Sequence, residues 1–144
     1  MRFRVAVVSL AVGIALSGAF TFASGNVAIA KAAQPNMVIE WNQTMIAAFT
    51  TAAVAPPVAT RQGGIVQSAV FDAVNGTQPK YTAIHVQPAA PAGASGQAAA
   101  ASAAYTVLLA LYKAQQPLFD SAMASSMAAM QDEDDAGSIA AGLA

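Results

Sequence analysis

Two adjacent prolines, Pro56 and Pro57, sit between two stretches of helical periodicity, and that break sets the architecture of the chain. A proline ring forbids the residue before it from continuing a helix, while the N–H it lacks would have had no partner in a helix's first turn. One helix must therefore stop before the pair and another must start on it. Upstream, Val38, Ile39, Met45, Ile46 and Phe49 recur near helical spacing with Glu40, Asn42 and Gln43 between them, which predicts a helix over about 37–53. Downstream, at about 100° per residue, Val58, Ile65, Val66, Ala69, Val70, Ala73 and Val74 cover roughly half the circumference of a second helix over about 57–74. Arg61, Ser68 and Asp72 fall on one flank of it. Half a circumference is wider than a surface helix needs. Gly63 and Gly64 each cost this helix roughly 1 kcal/mol against alanine, which predicts a close helix crossing or a bend. Asn75-Gly76 predicts a left-handed stop at its C-terminus.

Residues 76–94 contain three prolines and little periodicity, and read as a loop wrapped over the bundle surface, with 81–86 extended. Ser95 is the expected N-cap of a third helix over about 96–112. Its first half is alanine-rich and its second half apolar nearly all round, the pattern of a buried helix. Pro117 opens a fourth helix, on which Phe119, Met123, Met127 and Met130 share one stripe. Packing inside a bundle is the expected role of that stripe; a methionine-lined binding groove is the alternative. The acidic run 132–135 precedes a last pattern over 136–144, with Asp134 or Asp135 as N-cap and Ile139, Ala140 and Leu143 beginning an apolar face. Two turns fall short of the ~10 to 14 residues usual for a helix, so this reads as a fifth helix cut short. The expected fold class is all-α: a small bundle of four helices plus a truncated fifth.

The N-terminus reads as an export signal. Arg2 and Arg4 precede an apolar run over 5–22, and Ala28-Ile29-Ala30 offers a small-residue cleavage site, after Ala30 or alternatively Ala32. An uncleaved anchor is the competing reading, because the apolar run approaches the ~18 to 20 residues that span a bilayer. The expected organisation is thus a signal peptide over 1–30 and one helical segment over 31–144, exported to a bacterial periplasm or beyond. From Lys31 onward four basic residues stand against seven acidic ones, a formal net charge of −3, with no basic patch to neutralise nucleic-acid phosphates. Eleven charges in 114 residues is far below the ~25% of ordinary soluble domains, so weakly polar faces should expect a partner. The absence of cysteine excludes disulfides, thiolate metal sites and cysteine nucleophiles.

The Glu40-Trp41-Asn42 opening, the Pro56-Pro57 break and the close Ala69-Val70-Phe71-Asp72-Ala73-Val74-Asn75 resemble the N-terminal helices of bacterial vanadium-dependent haloperoxidases, relatives of the type 2 phosphatidic acid phosphatases. The resemblance continues through Pro91-Ala92-Gly93-Ala94-Ser95, the alanine run and residues 108–119. It implies a parent whose pocket binds vanadate, or phosphate in the phosphatases, through a lysine, two arginines and two histidines. Those residues lie on a Lys-x6-Arg-Pro segment, a Pro-Ser-Gly-His segment and a Ser-Arg segment followed by histidine. Such a set neutralises an oxyanion, and supplies a histidine for bonding to vanadium or phosphorus and another for proton transfer. Beyond residue 30 this chain has one arginine, Arg61, and one histidine, His85, too few to build the site alone. No catalytic, cofactor or metal residue is therefore assigned. Vanadate belongs to the full-length family and not to this chain.

Several constellations imitate chemistry. Residues 80–88 have the lysine-to-proline frame of the first segment, but Gln87 stands where arginine is required and cannot supply its charge or its fork of donors. His85 as a lone metal ligand lacks the further ligands a site needs. Asp132, Asp134 and Gly137 match the first, third and sixth places of a calcium loop, yet Ala136 and Leu143 occupy the fifth and twelfth, where carboxylates belong. Asn42 and Asn75 each open a glycosylation sequon, discounted because the expected signal and the resembled family are bacterial in type and Asn42 falls in the middle of an expected helix. Ser68, Asp72 and His85 suggest a nucleophilic set; Ser68 and Asp72 share a helix face, but no spacing places His85 beside them. Asp72 is expected instead to hold a neighbouring helix or loop by hydrogen bonds. The first functional expectation is a non-catalytic N-terminal fragment of a secreted haloperoxidase-like or phosphatase-like protein, partnered by a missing C-terminal catalytic half. The second is an exported helical protein that binds a partner or self-associates through apolar helix faces. A membrane-bound form follows only if the signal peptide is retained.

Overall fold

Each helix begins and ends where a specific backbone group finds its partner. The computed structural model of the protein describes residues 36–86, 89–131 and 136–144, all within the compact unit Ala33–Ala144. The expected signal peptide, Gln87-Pro88 and the acidic run 132–135 lie outside the described residues. Helix α1 spans Met37–Thr51, where Asn36 Oδ1 accepts from the Val38 and Ile39 N–H groups at 3.0 and 3.4 Å. Its end is a paired turn: the Ala53 N–H donates to the Thr50 carbonyl and the Val54 N–H to the Phe49 carbonyl. That motif places residue 53 in the left-handed region, which glycine usually fills. Here it is alanine, at φ 48°.

Helix α2 spans Pro56–Thr77, with both prolines in its first turn and Ala55 as the extended N-cap. The expected stop at Asn75-Gly76 is not used. The helix runs through both residues, each of them buried, and Asn75 caps the following loop with its side chain instead. Helix α3 spans Gly96–Leu111, with Ser95 Oγ accepting from the Ala98 N–H at 3.2 Å as expected. A 3-10 turn, Lys113–Gln115, leads into α4, Gln116–Gln131, and α5 spans Ala136–Leu143. The fold is all-α, five helices without strands among the described residues. The expected extension of residues 81–86 is replaced by irregular, bent chain. No helix among the described residues is long and apolar enough to cross a membrane.

Helix α3 is the hub. It touches all four other helices, most extensively α2. Ala98, Ala99, Ala100, Ala101, Ala104 and Leu108 are buried along it, and single-methyl side chains let neighbours approach closely. Against it α1 lays Met37, Trp41, Met45 and Ala48, a stripe at helical spacing, and α4 lays Phe119 and Met130, both fully buried. Met123 and Met127 pack partly buried beside them, so the methionine stripe joins the core rather than forming an open groove. Trp41 Nε1 donates to Ser126 Oγ at 3.1 Å and its ring meets Tyr105 edge-on, with centroids 6.3 Å apart. On α5, Ile139 is buried and Leu143 packs against the core, whereas Ala140 of the expected apolar face is exposed.

The tight helix crossing is not where the Gly63-Gly64 pair predicts it. A Cβ on Gly63 would rest at ordinary contact distance, 3.9 Å, from Met45, and one on Gly64 would meet nothing within 4 Å. Gly142 of α5 is the close approach. A Cβ there would collide with the Ser95 carbonyl oxygen and come within 2.8 Å of Ala98 Cβ. The Ser95 N–H donates to the Ser138 carbonyl at 2.9 Å across the same contact, and Ser102 Oγ donates to the Leu143 carbonyl at 3.2 Å.

Candidate functional site

The loop after α2 is held by two side chains one helical turn apart. Asn75 Oδ1 accepts from the Lys80 and Tyr81 N–H groups at 3.0 Å each, and its Nδ2 donates to the Tyr81 carbonyl at 2.8 Å. Asp72 takes the next segment. Its Oδ1 accepts from the Ile84 N–H at 2.7 Å, and its Oδ2 from the His85 and Val86 N–H groups at 2.8 Å each. Three convergent main-chain donors on a carboxylate that is 4% exposed satisfy the charge that burial would otherwise penalise. They hold the Asp72 carboxyl below its ordinary value. The Val86 N–H contributes most, burial opposes it, and the Ile84 and His85 N–H groups and the charge of His85 add to the lowering. The expectation that Asp72 holds a loop is thereby met.

Turning three successive N–H groups inward leaves Ile84, His85 and Val86 exposed at the surface. With Arg61, Ile65, Ser68, Ala69 and Asp72 of α2, and Val107 of α3 beneath, they line a groove of about 680 Å³. Ser68, Asp72 and His85 do therefore share one site, which spacing alone did not indicate. The link is Asp72 itself, which grips the main chain of His85. Its oxygens are committed to backbone donors, so it does not orient the imidazole in the way a nucleophilic set requires. The only sequence signal for the convergence was an aspartate on a helix flank, followed by a proline-bounded loop.

The oxyanion donor set implied by the family resemblance does not fit this groove. One guanidinium, Arg61, and one imidazole, His85, line it beside a carboxylate of the wrong sign, while Lys80 lines a separate pocket and Lys113 starts the 3-10 turn after α3. A vanadate placed in the groove would lack the converging cationic donors that balance its charge. Among the described residues no group of three or more His, Asp or Glu side chains is placed to hold a metal ion. The calcium-like spacing is helical from its fifth to its twelfth place, in α5, where a binding loop would need irregular chain; its first residues lie outside the described ones. Both sequon asparagines are engaged: Asn42 Oδ1 accepts from Gln67 Nε2 at 2.5 Å, joining α1 to α2, and Asn75 caps the loop. Of the 80–88 frame, Lys80 contributes its main-chain N–H to Asn75, and Gln87 and Pro88 lie outside the described residues.

Elsewhere the polar side chains tie helices together. The Tyr112 hydroxyl bonds Gln62 Oε1 between α3 and α2, and burial pushes its pKa up. Gln115 Nε2 donates to the Ala48 carbonyl at 3.1 Å. The Tyr105 hydroxyl donates to Asp120 Oδ1 at 2.8 Å, which raises the tyrosine's pKa, as do burial and the aspartate's charge. No known family model matches this chain, and neither a curated protein nor a solved structure shows significant similarity to it.

Proposed function

We propose that this chain is a non-catalytic, helical packing segment of a secreted haloperoxidase-like or phosphatase-like protein, exported through residues 1–30 and completed by a catalytic portion carried elsewhere. One observation supports the reading above the others: five of the side chains that carry the family resemblance are joints. Trp41 bonds α4, Asn42 bonds α2, Asp72 and Asn75 hold the loop, and Ser95 caps α3. None of them is left to act on a substrate. The test is a thermal melt of the chain with and without micromolar vanadate, together with the intact mass of the native exported protein. An unchanged melt and a mass well above that of residues 31–144 are expected. A saturable stabilisation by vanadate would place an oxyanion site within the chain and sink the proposal.

The second reading, an exported protein that self-associates through apolar helix faces, draws on Ile39 and Ile46, two turns apart on α1 and exposed by 55% and 59%. Apolar surface gathered on one face is a frequent mark of association. Sedimentation of the free chain tests it. A discrete dimer that Ile46→Ser dissolves would favour this reading, and a monomer across the micromolar range would end it.

A further inference from the structure

The groove between α2 and the clamped loop pairs an apolar trough with one cation. Ile65, Ile84 and Val86 are exposed by 44%, 62% and 58% along its walls, and Val107 lies beneath. Its volume of about 680 Å³ falls within the range of small-molecule sites, which combine mostly apolar lining with a few placed polar groups. Arg61 stands on the same wall one turn before Ile65, with no carboxylate partner among the described residues. Asp72, the acidic group lining the groove among the described residues, lies about three turns further along α2 and gives its oxygens to three backbone donors rather than to Arg61. A guanidinium without a carboxylate partner among the described residues, beside exposed aliphatic side chains, is complementary to a molecule with a negative head and an apolar tail.

We propose that this groove binds a single-chain amphipathic carboxylate, with its tail along Ile65, Ile84 and Val86 and its head at Arg61. The occupant is a monoanion. A single exposed guanidinium suffices to recognise one, whereas a multiply charged oxyanion held without a tail needs the converging donors this groove lacks. The site forms only while Asp72 grips the loop, because two of its three walls of aliphatic side chain, Ile84 and Val86, hang from the clamped amides.

The experiment uses methyl-labelled protein over residues 31–144 titrated with decanoate below its micellar concentration, with decyltrimethylammonium and inorganic phosphate in parallel. Decanoate should shift the Ile65, Ile84 and Val86 methyls saturably, leave Ile39 and Ile46 unmoved, and bind about fivefold more weakly to Arg61→Gln, the size of one exposed ion pair. Phosphate, lacking a tail, should shift nothing. Equal binding of the cationic amphiphile, or indifference to Arg61→Gln in a variant whose melt is unchanged, would overturn the proposal and leave only unselective apolar adsorption. If those same methyls shift with protein concentration alone, a second copy covers the groove and the proposal also fails. None of these outcomes depends on the vanadate response or on the native mass, so the two proposals stand or fall separately.

Discussion

Helices α2 and α3 are both rich in apolar residues, yet one is wrapped and the other half bare. On α3 the buried positions are five alanines and one leucine, and every other helix leans on them. On α2 a broader apolar circumference is available, but Val66 and Val70 are its only buried aliphatic side chains, while Val58, Ile65 and Val74 face outward. Asp72, Asn75 and Gly76 are the other buried residues of α2. Hydrophobic periodicity thus marks what a helix is able to bury, and the neighbours decide what is covered. The smallest side chains attracted the most neighbours because backbone can approach backbone across them.

The sharpest way to break this contrast is to cut the same amount of side chain from each helix. Leu108→Ala on α3 empties a fully buried position and should cost about 2–5 kcal/mol in denaturant unfolding, whereas Ile65→Ala on α2 should stay within about 0.5 kcal/mol of wild type. Comparable losses at the two sites would mean that α2's outer face is covered after all. A second pair uses glycine. Gly142→Ala forces a methyl against the Ser95 backbone, and overpacking of about 1–3 kcal/mol should outweigh a gain of about 1 kcal/mol in helix propensity. The identical change at Gly64 meets open space and should stabilise by about 1 kcal/mol. Equal signs for the two variants would show that α5 does not sit tightly on α3.

The end of α1 gives a smaller effect of opposite direction. Ala53→Gly relieves a left-handed conformation that costs an L-residue about 1–2 kcal/mol, and returns part of that gain to unfolded-chain entropy. A net stabilisation of about 0.5–1 kcal/mol is expected in the melt. The last test concerns the clamp and is read locally. Because the Asp72 carboxyl is held below its ordinary value in the folded state, its stabilising contribution is complete above the ordinary carboxylate range and is lost as pH falls through that range to the depressed folded value. Wild type and Asp72→Asn should therefore differ at neutral pH, with faster amide exchange at Ile84, His85 and Val86 in the variant, and converge in acid. A difference that persists unchanged at the lowest pH would detach the loop from this carboxylate.

Much of the helical frame was legible in the residues, because its signals are local. The double proline, the Ser95 cap and the helical spacing of Val38, Met45 and Phe49 each act within a turn or two of chain, although Ile39 and Ile46 of that expected stripe face outward and Met37, Trp41 and Ala48 are buried beside Met45 instead. The misreadings share a cause. Asn75-Gly76 has the composition of a helix stop, but burial of both residues and the loop that Asn75 caps carry α2 onward to Thr77. Gly63-Gly64 has the composition of a close crossing, yet closeness depends on which helix lies opposite, and that information sits at Gly142, some eighty residues away in the chain. His85 reached Asp72 through its main-chain N–H, a group identical in nearly every residue and therefore silent in any reading of side chains.

The alanine run of α3 carries a cost in definition. An alanine has no rotamers to freeze, so burying it loses almost no side-chain entropy, but a row of alanines is also nearly the same after a shift of one turn. A ladder with identical rungs does not say where to stand. What removes this translational degeneracy is polar and lies at the margins: the Ser95–Ser138 main-chain bond, Ser102 on the Leu143 carbonyl, and the notch at Gly142 into which the start of α3 fits. The helix is thereby indexed by a few hydrogen bonds and one missing methyl, and its registry is an address written at the ends of a featureless rod.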